Sequence, residues 1–494
     1  MAYPDPANVA PWYLRNITQA LALDETTGNV YIRTDAQVEI GNVGNLVVSN
    51  VGVTSLGNVD ISGNTMPVSG NVTVFQGTDP WTVTGNVNAT VTGTANVALG
   101  GTNLDAFGRL RVSNPVTLFD SQNLYVDGQQ FSNITATGGT VTYVPAESSF
   151  NLSVTAANNS SVITQSKTTQ PYQPGKSLLT LNTFAMATLA AGCRQRVGYF
   201  TANNGVYFEA DGEDLYLVIR SSASGSLVEE RILQADWNAD TLTGAGGSSN
   251  PSGIELNHTL VQIFWNDIEW LGVGTVRAGF VIDGNFIVCH RFNHANNAGN
   301  TKVYMTTATL NPRYEITNTS ATSGSRTMKQ ICSTVISEGG YNPTPAINYV
   351  GSGIQPTRLA TGNVYTNLAT IRLNPSTPDA VVLPSQIDLL LTDVQYGAWQ
   401  IVLNASNVSG LTYANVGSGI VQANTSAVQI GDGTVLYSGV TSSRDTFTVG
   451  EDVSRRLQLS RSANGTPDTL TLCAGYGSNN ADLIWRFGWS EVTN

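Results

Sequence analysis

The chain has 494 residues, 49 of them glycine, with only 12% charged residues and a formal charge of -12. That balance argues against nucleic acid or anionic lipid as the main partner, since both demand a cationic patch, and the only lysines are Lys167, Lys176, Lys302 and Lys329. At about 150 residues per domain the length predicts three units, with the Gly, Asn, Thr, Ser and Val content of an all-β secreted or virion-like protein.

The opening residues show neither the basic nor the apolar region of a signal peptide. No run approaches the ~20 apolar residues that span a bilayer. The expectation is a soluble chain made without a signal, with no membrane insertion. Within residues 1–27, Trp12, Tyr13, Leu14 and Ile17 form a concentrated apolar patch, followed by Leu21 and Leu23, and Pro11 can start a short helix. This reads as a docking segment for another protein, or as a cap on the end of the adjoining repeats.

Residues 28–115 carry a recurring phrase. Gly28-Asn29-Val30, Gly41-Asn42-Val43, Gly57-Asn58-Val59, Gly70-Asn71-Val72 and Gly85-Asn86-Val87 return at a spacing of about 13 to 16 residues. Between them, Val68, Val72 and Val74 alternate with Ser69, Asn71 and Thr73, as a half-exposed strand requires. Each repeat holds too little apolar bulk to offset roughly 1 to 2 kcal/mol of backbone entropy per residue. Either the stretch is an unfolded linker, or it is a β shaft in which copies of the chain share their valine faces; the β-branched alternation favours the shaft and a homotrimer.

Residues 116–341 read as a β-sandwich, with a jelly roll as the first expectation. Apolar runs such as Val206-Tyr207-Phe208, Leu215 to Ile219, Leu260 to Trp265 and Val276 to Ile282 are divided by the turn signals Asp211-Gly212 and Asp283-Gly284-Asn285. The Pro/Gly-rich stretch 342–356 reads as a linker, open to proteolysis that releases residues ~357–494 as a folded fragment. Residues 357–494 hold further short strands, enough for a second, smaller sandwich.

The phrases "PWYLRNITQALALDETTGNVY" and "LDAFGRLRVSNPVTLFDSQ", the Gly-Asn-Val repeats, and then "GVYFEADGEDLYLV", "IFWNDIEWLGVG" and "CHRFNHANN" resemble structural proteins of tailed bacteriophages. The likeness is to the fibre and appendage proteins of large myoviruses that infect marine cyanobacteria, and it covers about residues 8 to 341. It implies a virion component, often trimeric, with no catalytic role attached to these phrases. The resulting expectation is a tail or baseplate fibre that is docked by its N-terminus and meets the host surface. The alternative is a head, neck or collar appendage with a scaffolding role. A polysaccharide-degrading spike is a third class.

Few residues could carry chemistry. His290 and His294 lie beside Cys289, downstream of Asp267 and Glu269, but in a loop setting where His-x-x-x-His has little geometric meaning. Glu209, Asp211, Glu213 and Asp214 crowd a hairpin, without the spacing of a calcium loop, and read as a solvated turn. Cys193, Cys289, Cys332 and Cys473 are far apart and read as four buried free thiols. No nucleophile elbow, phosphate loop or dinucleotide fingerprint occurs, so no catalytic residue, metal or cofactor is expected. Tyr396, Trp399, Trp485 and Trp489 are candidates for stacking on host glycan, because aromatic faces suit sugar rings.

Overall fold

The computed structural model describes residues 21–23, 30–32, 114–125, 130–297, 301–360, 364–392, 396–408, 410–441, 445–476 and 481–492. Two compact units, Met1–Ala98 and Leu99–Asn494, divide the chain. In the first, Leu21–Leu23 (β1) and Val30–Ile32 (β2) pair antiparallel, with Leu21 opposite Ile32. The proposed docking residues Trp12, Tyr13, Leu14 and Ile17, and the repeats beyond Val30–Ile32, lie outside the described residues.

The second unit is all-β and holds two sandwiches. The strands of the first are Val116–Ser121 (β3), Phe131–Ala136 (β4), Thr140–Val144 (β5), Ser149–Val154 (β6), Ser161–Ser166 (β7), Leu178–Ala185 (β8), Ala190–Phe200 (β9) and Gly205–Gly212 (β10). They continue with Asp214–Ser221 (β11), Val228–Leu233 (β12), Gln262–Ile268 (β13), Val276–Ile282 (β14), Asn285–Phe292 (β15), Pro312–Asn318 (β16) and Arg326–Ser337 (β17). One sheet has the order β12-β11-β10-β9-β16-β7-β4 and the other β15-β14-β13-β8-β17-β6-β5, with β3 also on β17. Alternation decides which side chains meet between the sheets. On β9, Cys193, Val197 and Tyr199 join a core shared with Leu152, Phe264 and Phe280 of the facing sheet, while Arg194 and Arg196 point the other way. Asp283 and Gly284 turn β14 into β15 with φ of 51° and 77°, the left-handed pair that a two-residue hairpin needs.

The second sandwich comprises Ala346–Gly351 (β18), Thr357–Arg358 (β19), Thr366–Leu373 (β20), Val381–Leu391 (β21), Gly397–Leu403 (β22), Ala414–Val416 (β23) and Val421–Asn424 (β24). Thr434–Thr441 (β25), Asp445–Thr448 (β26), Leu470–Gly475 (β27) and Asp482–Val492 (β28) complete it, with the short helix Glu451–Arg456 (α1). Its sheets run β18-β28-β21-β26 and β23-β24-β20-β27-β22-β25, and Ile371, Leu472, Ile387 and Phe487 share the core between them. β18 falls inside the stretch read as a linker. Its residues pair with β28 from Ala346 opposite Glu491 to Gly351 opposite Arg486, so this segment belongs to the second sandwich.

The sandwiches touch through backbone-directed hydrogen bonds. Gln458 Nε2 donates to Thr169 O at 2.8 Å, the Arg461 N–H to Lys167 O at 3.0 Å, and the Ala463 N–H to Ser132 Oγ at 3.0 Å.

Candidate binding sites

Three of the four aromatic side chains proposed for glycan contact are core. Trp399 is 1% exposed, Trp485 3% and Trp489 0%. Trp485 and Trp489 share the inward parity of β28 with Phe487. The Trp485 indole N–H donates to Thr357 Oγ1 at 2.8 Å and that of Trp489 to Glu491 Oε1 at 2.9 Å. Trp399 packs on Phe447, ring centroids 4.9 Å apart. No face of these indoles is left for a sugar. Strand parity was the missing signal, because a strand buried on one face puts alternate aromatics into the core whatever their affinity for sugars.

Tyr396 differs. It precedes β22, is 72% exposed, and lines a 300 Å³ cleft with Tyr365, Tyr476 and Val440. The buried Tyr476 hydroxyl has no hydrogen-bond partner among the described residues. Burial pushes the Tyr365 phenol above its ordinary pKa, so it stays a protonated donor at neutral pH. Apolar ring faces with hydroxyl donors at their edges are the chemistry that holds a saccharide.

Of the hairpin read as a solvated acidic turn, Glu213 and Asp214 are exposed as expected, whereas Glu209 and Asp211 are tied into an ionic network. Glu209 lies on the face of β10 that points away from the sandwich core, yet its side chain exposes nothing. Arg196 Nε donates to its Oε2 at 2.6 Å and Arg231 Nε to its Oε1 at 2.8 Å. Asp211 accepts from Arg194 at 3.0 Å and Arg231 at 2.7 Å, Glu229 from Arg220 at 2.8 Å, and Glu315 from Arg196 at 3.2 Å. The arginines also cover aromatic rings: the Arg196 and Arg220 guanidiniums sit 5.3 and 5.1 Å from the Tyr207 centroid. Burial by itself would raise the carboxyl pKa values, but the guanidiniums, joined at Glu229 by the hydrogen bond from the Tyr207 hydroxyl, outweigh it and hold Asp211, Glu229 and Glu315 below the usual range. Asp267, likewise, is buried and paired with Arg277.

His290 is buried, its Nδ1 accepts from the Asn238 N–H at 3.2 Å, and burial lowers its pKa to about 4. His294 bonds Gly274 O through Nδ1 at 2.8 Å and stacks on Tyr304 at 3.9 Å. Among the described residues no group of three or more His, Cys, Asp or Glu could hold a metal ion. Cys193, Cys289 and Cys473 are buried free thiols, and burial raises the first to about 11 and the last to about 12. Cys332 is only half-buried.

No protein-family model matches the sequence, and no curated protein does. Among solved structures the chain is similar to the carbohydrate recognition domain of Emp47p, with 8% identity and a TM-score of 0.28 over 45% of this chain and 97% of that one. It is also similar to the CBM2 module of the evolved Dit of Lactobacillus casei BL23 phage J-1, with 6% identity and a TM-score of 0.29 over 47% and 100%. Peanut lectin gives 10% and 0.25 over 46% and 98%. These neighbours are sandwich domains named for carbohydrate binding, and scores this low carry no argument about what this chain does.

Proposed function

We propose that the chain is a non-enzymatic structural protein of a tailed-phage virion, a homotrimeric tail or baseplate fibre whose heads hold a host-surface saccharide in the Tyr396 cleft. The observation that carries the saccharide part is the Tyr396 ring, 72% exposed beside Tyr365 and Tyr476 in a concave site on an otherwise packed sandwich. The virion part rests on the phage-like phrases of residues 8 to 341. The trimer rests on the valine-alternating, core-poor repeats, which need shared edges to fold.

The test is adsorption of particles carrying Tyr396→Ala. An exposed ring is dispensable for folding, so the particles assemble with normal amounts of the protein. Loss of one stacking contact, worth about 1.4 kcal/mol, slows adsorption about tenfold. Adsorption at the wild-type rate by such particles sinks the host-contact role and leaves a scaffolding appendage of the head, neck or collar.

A further inference from the structure

Where the two sandwiches meet, the chain leaves a cleft of 680 Å³, within the about 300 to 1,000 Å³ typical of small-ligand sites. Its lining runs against the composition. The chain has 23 Lys and Arg against 35 Asp and Glu, and many of its arginines are consumed by carboxylates, as in the network around Glu209. The residues lining this cleft include three cations, Lys167, Arg455 and Arg456, and two carboxylates, Asp120 and Asp468. Asp468 is already engaged, accepting from Asn404 Nδ2 at 2.8 Å and Ser460 Oγ at 2.6 Å. Lys167 and Arg456 form no ion pair among the described residues, whereas Arg455 lies 4.9 Å from the centroid of the Tyr341 ring in the same wall. Leu383, Leu403 and Leu470 give the cleft an apolar part.

Two cations of opposite sandwiches without an ion pair among the described residues, an aromatic wall and an apolar surface define a ligand that is both anionic and amphipathic. We propose that the cleft between the sandwiches binds an acidic saccharide, one whose carboxylate, sulfate or phosphate groups lie between Lys167 and Arg456 while a ring face rests on the apolar wall. The saccharide class rests on the host-surface role proposed for the Tyr396 cleft; the charge preference does not, and it adds a second, distinct site. The joint that shapes the cleft is fixed by Gln458 and Arg461, which bond Thr169 O and Lys167 O across it.

Calorimetric titration of the full chain with polygalacturonate, dextran sulfate, neutral dextran and inorganic sulfate tests this. At a net charge of -12 the protein repels polyanions in general, so acidic polymer binding requires a built site. The expected result is binding of at least one acidic polymer, none of neutral dextran once Tyr396→Ala removes the other cleft, and weakening by about tenfold in Lys167→Gln/Arg456→Gln with a shallower salt dependence. Arg456 is exposed and Lys167 half-buried, neither has an ion pair among the described residues, and an unchanged melting temperature verifies that the double variant folds. Tyr396→Ala retains this binding, which separates failure of this site from failure of the Tyr396 cleft. Equal binding of neutral dextran, binding of inorganic sulfate alone, no binding of either acidic polymer, or wild-type affinity in the double variant overturns the proposal.

Discussion

Arg196 Nε donates to Glu209 Oε2 at 2.6 Å, and the Glu209 side chain has no exposed surface. A carboxylate so placed is tolerable only because Arg196 and Arg231 neutralise it from two sides. Removing it takes the closest partner from Arg196 and from Arg231, although Arg196 keeps Glu315 and Glu229 and Arg231 keeps Asp211. Glu209→Ala is therefore expected to destabilise the first sandwich by about 1 to 3 kcal/mol, read as a lower urea midpoint by tryptophan fluorescence. A change below about 0.5 kcal/mol would mean that water already solvates these pairs.

Acid should loosen the same region in two steps. His290 is kept neutral down to about pH 4 against its ordinary 6.5, so the unfolded chain binds the extra proton first, and stability falls as pH drops from 6.5 towards 4. Asp211, Glu229 and Glu315 have folded pKa values below their ordinary 3.8 and 4.5. Their contribution is present above those ordinary values and is lost as pH falls through the lower folded ones. Melting scans should show a decline of about 3 °C between pH 6.5 and 4.5 and a steeper one below pH 4. In His290→Asn, whose amide oxygen can take the Asn238 N–H, the upper decline should shrink to the part that His258, its own pKa lowered by burial, contributes, while the lower one stays. An unchanged upper decline assigns it to other groups.

Trp399 on β22 pairs directly with Gly439 on β25, and a Cβ at 439 would lie 2.6 Å from the indole ring. Gly439→Ala should cost about 1 to 3 kcal/mol by overpacking, and Trp399→Ala about 3 to 5 kcal/mol by opening a cavity. Tyr396→Ala, three residues away in sequence, should cost less than about 0.5 kcal/mol. Thermal melting of the three variants checks this order, and a Tyr396→Ala loss as large as that of Trp399→Ala would contradict the assignment of one as surface and the other as core.

Between β17 and β18, Asn342 and Thr344 are exposed. Protease should cut there, but the nicked chain should stay together on native sizing, held by the bonds of Gln458, Arg461 and Ala463 to the first sandwich. Release of a free C-terminal fragment without denaturant would show that the joint is too weak to shape a ligand cleft.

The sandwiches were legible because their strands are short, β-branched and punctuated: Asp283-Gly284 announces its hairpin, and Val206 to Phe208 its strand. β18 was hidden, since Pro343, Pro345, Gly351 and Gly353 flank an otherwise ordinary alternating segment, Ile347-Asn348-Tyr349-Val350. Exposure of aromatics was not legible either. It depends on which parity faces the other sheet, and Trp399 and Tyr396 lie on opposite parities. The Glu209 network escaped because its arginines come from positions 194, 196 and 231, brought side by side only by the register of β9, β10, β11 and β12.

An appendage held by its N-terminus with its sandwiches facing outward is the arrangement that a particle reconstruction locating both ends of the chain would reveal. Burying Trp12, Tyr13, Leu14 and Ile17 against a particle would be worth roughly 1.5 to 3 kcal/mol each, repeated in every copy of the proposed trimer, enough for a lasting joint. The expected map has residues 12–17 in contact with the particle and residues 116–494 projecting from it, and Trp12→Ala/Leu14→Ala is not incorporated. Residues 357–494 packed against the particle with the N-terminus free would contradict it.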